Sequence, residues 1–163
     1  MKKYISWFIA FLALVVADQL TKWWAVIALK GNDGITIIDG VFRLMYLENR
    51  GAAFGIMQNK RIILLITAIL ILIFLVYLFI KIPDLSKFKP LKVVLVVIAA
   101  GAVGNMIDRI VHGFVTDFFY FELINFPVFN VADCYVVVSA IAAMLLILFY
   151  YKEEDLETIK NGK

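Results

Sequence analysis

At 163 residues, 64% of them hydrophobic and only 18% charged, the chain is too apolar for a soluble domain of its size, so lipid must be the solvent for most of it. A formal net charge of +3 with no basic cluster interleaved with a nucleic-acid-binding motif excludes nucleic acid as a partner. One cysteine, Cys134, excludes an intrachain disulfide and one histidine, His112, excludes a His-rich metal site, so neither a metal nor a cofactor is expected.

The first apolar run follows Met1-Lys2-Lys3 in the manner of a secretory signal peptide. It passes Ala17 without a cleavage-like site, however, and continues through Asp18-Gln19-Leu20-Thr21-Lys22 to Ile27, which reads as an uncleaved span over 5–27. Three more apolar stretches, 62–82, 93–111 and 128–151, each approach the ~20 residues that cross a bilayer core. The expectation is one integral membrane domain over 1–163, all-α in its four transmembrane helices, with segments 28–60 and 112–127 on one side. Lys2, Lys3, Lys81, Lys87, Lys89, Lys92, Lys152, Lys160 and Lys163 outnumber Lys30, Arg43, Arg50, Lys60 and Arg61. The positive-inside rule then places both termini in the cytoplasm and the two segments outside.

Within segment 28–60, Ile35 to Ile38 and Val41 to Leu47 flank Asp39-Gly40, a two-residue hairpin signal that predicts a small extracytoplasmic β element. Asn49-Arg50-Gly51-Ala52-Ala53-Phe54-Gly55 mixes turn-forming and small residues with one aromatic and suits an interfacial loop or short helix, a membrane-surface anchor in its plainest form.

Charge inside a span costs ~2.5–3.5 kcal/mol near the bilayer centre, so each such residue needs a reason. Asp18 and Lys22, four apart on one helix face, form either a buried pair that fixes packing or part of a site. A lysine base needs a nucleophile, and Ser6, Ser86 and Ser139 do not lie at its depth. In the third span Gly101 and Gly104 permit close helix contact, and Asn105 and Arg109 project to one place near its outer end. Arg109 either pairs with Asp108, snorkels to headgroups, or serves a site. Cys134 turns about 100° from Asp133 and reads as a packing residue, with His112 as a loop or interface residue.

Asp117, in an aromatic segment, and Asp133, at the start of the last span, both fall near the outer boundary. Singly, each has a structural explanation: a partner for Arg109, or a first-turn residue favoured by the helix dipole. As a pair at ~4 Å they would repel by about 4 kcal/mol at an effective dielectric of ~20. That is roughly three pKa units on the second ionisation, which puts a shared proton close to pH 7, as aspartic-peptidase chemistry requires.

Asp18-Gln19-x-x-Lys22, Asn49-x-Gly51-Ala52-Ala53-Phe54, Gly104-Asn105-x-x-Asp108-Arg109, Val115-x-Asp117-Phe118 and Phe129-Asn130-x-Ala132-Asp133 occur in order over four spans. In this the chain resembles the lipoprotein signal peptidases, the type II signal peptidases of bacteria. The resemblance implies a catalytic pair at Asp117 and Asp133, supported by Asp18, Lys22, Asn49, Gly51, Gly101, Asn105, Arg109, Asn130 and Ala132. It also implies cleavage of prolipoprotein signal peptides just before a diacylglyceryl-modified cysteine, in the bacterial cytoplasmic membrane near its outer face. A monomer in contact with membrane lipids is expected. Two rival classes are a small proton-coupled transporter, whose polar residues would line a path through both leaflets, and a non-catalytic factor that holds a signal helix.

Overall fold

Among the described residues four runs are long and apolar enough to satisfy their backbone hydrogen bonds internally and cross a bilayer, over Tyr4–Leu29, Arg61–Lys81, Ser86–Val111 and Val131–Tyr150. The computed structural model describes residues 2–51 and 56–161. Its helices are α1 (Lys2–Leu29), α2 (Arg61–Lys81), α3 (Lys89–Val111), α4 (Val131–Leu145) and a short α5 (Glu153–Asn161). The described residues also form three strands, β1 (Ile35–Ile38), β2 (Phe42–Asn49) and β3 (Val115–Phe121).

Helix α3 is the centre of the bundle, packed on α1, α2 and α4. Its glycines allow this: a Cβ on Gly101 would sit 2.5 Å from the Ala132 carbonyl oxygen and 3.0 Å from Val136 Cγ2, and one on Gly104 would overlap the Asp18 carboxylate. Ala132 is correspondingly inaccessible. At the end away from the sheet, Leu75, Ile82, Phe88, Leu91, Leu95 and Tyr151 form a buried cluster.

Element boundaries depart from the apolar runs where a polar group finds a partner. Helix α3 starts at Lys89, before the apolar run at 93, because Pro90 suits a first helical turn and the buried Lys92 reaches Asp84 at 3.3 Å and the Phe79 ring at 5.1 Å. Helix α4 starts at Val131 because Asn130 caps it, and it ends in a π-turn over Leu146–Tyr150. The amphipathic α5 follows, with Glu153, Glu154 and Asp155 in its first turn, where the helix dipole favours acidic groups.

The strands form one antiparallel sheet in the order β1-β2-β3. Ile38 pairs with Phe42, so the hairpin loop has three residues, Asp39-Gly40-Val41, and not the two that Asp39-Gly40 suggests. Gly40 takes φ +66° and the Val41 N–H donates to the Ile38 carbonyl at 3.0 Å. The third strand comes from the second connecting segment, with Leu47 opposite Asp117 and Asn49 opposite Val115. Phe118 closes the sheet onto Ala25 and Leu29 of α1, and this contact fixes where β3 carries Asp117. Of the interfacial segment expected after β2, Ala52, Ala53, Phe54 and Gly55 lie outside the described residues.

Candidate active site

Asp117 sits mid-strand in β3 and Asp133 is the third residue of α4, at the helix end whose backbone N–H groups lack intrahelical partners. The Asn130 backbone N–H donates to Asp133 Oδ2 at 3.1 Å, and the Asp133 N–H donates back to Asn130 Oδ1 at 3.1 Å, a reciprocal capping box. The same Asn130 side chain donates through Nδ2 to Asp117 Oδ1 at 2.6 Å, so one residue bridges the two carboxylates.

Two further asparagines complete the arrangement. Asn49 Nδ2 donates to Asp117 Oδ2 at 2.9 Å, with its Oδ1 held by the Gly51 N–H at 2.9 Å. Asn105 Nδ2 donates to Asp133 Oδ1 at 2.8 Å, while its Oδ1 accepts from Lys22 Nζ at 2.8 Å and from Asn130 Nδ2 at 3.2 Å. Arg109 donates to the Gly51 carbonyl at 2.8 Å and the Asn105 carbonyl at 3.2 Å, so among the described residues its hydrogen bonds go to backbone and not to Asp108.

Behind this layer lies a buried ionic knot. Lys22 Nζ is 3.0 Å from Asp18 Oδ2 and 3.3 Å from Asp108 Oδ2. Asp18 Oδ1 accepts from the Ala132 N–H at 3.0 Å, which ties α1 to the first turn of α4. Asp108 also accepts from Gln19 Nε2 at 3.0 Å and from the Thr116 N–H at 3.0 Å, one residue before Asp117. Asp108 and Gln19 were not among the expected site residues. The signal available for Asp108 was its own burial cost within a span, masked by the ready assumption that it pairs with Arg109 next door.

Asp117 and Asp133 line one cleft of about 980 Å³ together with Asn49, Asn105 and Arg109. Its wall continues over Val136, Val137 and Val138 of α4. Val137 and Val138 are exposed where lipid would lie, so the cleft is open both to the polar end and sideways. Cys134 also borders the cleft, so it is not turned out of it as a one-residue rotation suggested. His112 ends α3 and stacks on Phe114 at 5.8 Å, away from the cleft lining.

Burial raises the Asp117 pKa from 3.8 to about 7, with the nearby Asp133 charge as the second cause; the Asn49 and Asn130 donors and the Lys22 charge work against the rise. A carboxyl so placed exchanges its proton at neutral pH.

Four membrane-crossing helices around a cleft with two amide-held carboxylates define a multi-pass membrane enzyme. The profile of the family described as signal peptidase (SPase) II matches residues 10–149. The lipoprotein signal peptidase of Clostridium tetani is 41% identical over 150 residues, covering 90% of this chain and 92% of that protein. That of Streptococcus thermophilus is 40% identical over 147 residues, covering 90% of this chain and 93% of that protein. A solved bacterial membrane enzyme, obtained by the in meso method at 2.3 Å resolution, superposes with a TM-score of 0.78 at 32% identity, over 97% of this chain and 92% of that one. The chain belongs to the signal peptidase II family and is a membrane protease of that type, as its five motifs indicated.

Proposed function

We propose that this chain is an aspartic endopeptidase of the bacterial cytoplasmic membrane that hydrolyses the bond before a diacylglyceryl-modified cysteine in a prolipoprotein, with Asp117 and Asp133 as the catalytic pair. The observation that carries the reading is Asn130, whose backbone and side chain hold one carboxylate each at the edge of one cleft.

The ionised carboxylate takes a proton from water as the water oxygen attacks the scissile carbonyl carbon. The protonated partner donates to the carbonyl oxygen. Collapse of the tetrahedral diol breaks the C–N bond: a carboxyl proton passes to the leaving amine while one diol hydroxyl returns its proton to the other carboxylate as the C=O re-forms, so the pair is left with the one proton it started with. One water is consumed, and no covalent enzyme intermediate forms. Asn49, Asn105 and Asn130 hold the carboxylate oxygens in place, and Arg109 brings a cation to the cleft where oxyanion charge develops.

The apolar wall along α4 suits a signal helix arriving from the bilayer, and the lipidated cysteine then rests at the headgroup level, at the depth of the dyad. Lys81, Lys87, Lys92 and Lys152 lie at the end of the bundle opposite the cleft, which supports cytoplasmic termini and a site facing outward. One chain supplies every group named, which favours a monomer working as a single domain surrounded by membrane lipid. The buried carboxylates Asp18, Asp108 and Asp117 gather at one end of the bundle, which argues against transport.

The test is the product masses from a reconstituted enzyme given a prolipoprotein with or without the diacylglyceryl group. The expected large product begins at the lipidated cysteine, and only the modified substrate is cut. A cut at another bond, or equal turnover of the unmodified chain, would contradict the assignment.

A further inference from the structure

Three asparagines around the carboxylates share one device: Oδ1 is held by a group that can only donate, and Nδ2 is thereby turned toward an acceptor. For Asn49 the holding donor is the Gly51 N–H, and for Asn130 it is the Asp133 N–H. Both are backbone. For Asn105 the donors are side chains, Lys22 Nζ at 2.8 Å and, at the longer distance of 3.2 Å, Asn130 Nδ2. We infer that Lys22 is a positioning residue for hydrolysis, holding Asn105 in the orientation that presents Nδ2–H to Asp133 Oδ1.

An ammonium has three N–H bonds and no acceptor, and here three acceptors meet it: Asn105 Oδ1, Asp18 Oδ2 and Asp108 Oδ2. A reversed Asn105 amide would face its NH₂ to the ammonium and to Asn130 Nδ2, and its oxygen to the Asp133 carboxylate. Every one of these contacts would be donor on donor or acceptor on acceptor. The helix brace does not need Lys22, because the Asp18 oxygen that takes the Ala132 N–H is the one Lys22 leaves alone. Lys22 is 3% exposed, so water cannot take over its role cheaply. Lys22 meets the Asp18 carboxylate on α1 and Asp108 on α3, its charge reaches Asp117 on β3, and Asn105 links it to Asp133 on α4, while Arg109 on α3 acts on Asp108, Asp117 and Asp133.

This inference rests on Asp117 and Asp133 being the hydrolytic pair. Its test is steady-state kinetics on Lys22→Met, Asn105→Ala and the two combined, in the full-length reconstituted protein. Lys22→Met is expected to lower kcat by ~10–100-fold with KM changed less than about twofold, and to move the alkaline limb of the pH profile upward. In the Asn105→Ala background the same substitution should cost less than about threefold, since the effect travels through Asn105. Should Lys22→Met not fold, Asp18→Asn/Lys22→Met removes the ion pair together and is judged by the same numbers. Asn105→Asp keeps the acceptor for Lys22 and loses the donor to Asp133, so it should lose kcat while still folding. Wild-type kcat in folded Lys22→Met or Asn105→Asp, or losses that multiply in the double variant, would overturn the relay. Wild-type turnover by Asp133→Asn, run alongside, would instead overturn the catalytic pair.

Discussion

Asn130 Nδ2 donates to Asp117 Oδ1 across 2.6 Å, and through this bond the N-cap of α4 is also a strut of the site. The two duties separate by substitution. Asn130→Ser keeps a cap oxygen and loses the amide donor, whereas Asn130→Ala loses both. Both variants should lose cleavage by ~10²-fold, but only the alanine variant should lose a further ~1 kcal/mol of stability. Cleavage rates and thermal melting of the two side by side check this.

Asp117, pushed up to about 7, should give the activity an alkaline limb. If the working form carries one proton on the pair, kcat/KM should fall tenfold per pH unit above about 7. Asn49 is one of the donors that hold this value down, so Asn49→Ala should shift the limb to higher pH. A pH-rate profile of both proteins shows it, and a limb that stays in place would remove Asn49 from the account.

The same carboxyl costs stability, with a definite sign. The folded protein keeps the Asp117 proton up to about pH 7 while the unfolded chain releases it near 3.8, so the folded state binds more protons between these values. Stability therefore declines as pH rises through that window. The full gap corresponds to about 4 kcal/mol as an upper bound, and loss of one accepted hydrogen bond on substitution returns roughly 1 kcal/mol of it. Asp117→Asn should then melt higher than wild type at pH 8, with the difference closing by pH 4.

Gly104 faces Asp18, and a methyl group there overlaps the carboxylate that holds the Ala132 N–H. Gly104→Ala should cost ~1–3 kcal/mol and lower activity through α4. Gly31, on the connecting segment with open space around a Cβ but at φ +83°, is a control that carries backbone strain alone. Gly31→Ala should leave cleavage intact at temperatures where the protein stays folded.

The four spans were legible because bilayer thickness imposes a length and composition that survive without any tertiary knowledge. The acid pair was legible because charge in an apolar segment stands out. The value near 7 was reached from repulsion alone, yet burial is the larger cause, and burial is a property of packing that the sequence does not display. Strand β3 escaped notice because Val115 to Phe118 are all buried, so the apolar–polar alternation that marks a half-exposed strand is missing. Asp108 escaped because its partner Gln19 is 89 residues away, while Arg109 is adjacent. Helix α4 begins three residues later than its apolar run because the Asn130 cap, and not hydropathy, sets the boundary.

The central claim is that Asp117 and Asp133 together activate water, and single-turnover cleavage of a diacylglyceryl-modified prolipoprotein by Asp117→Asn and Asp133→Asn tests it most directly. Each variant, folded by thermal melting and binding substrate, should lose at least ~10²–10⁴-fold in the cleavage rate. Cleavage at the wild-type rate by either folded variant would contradict the pair.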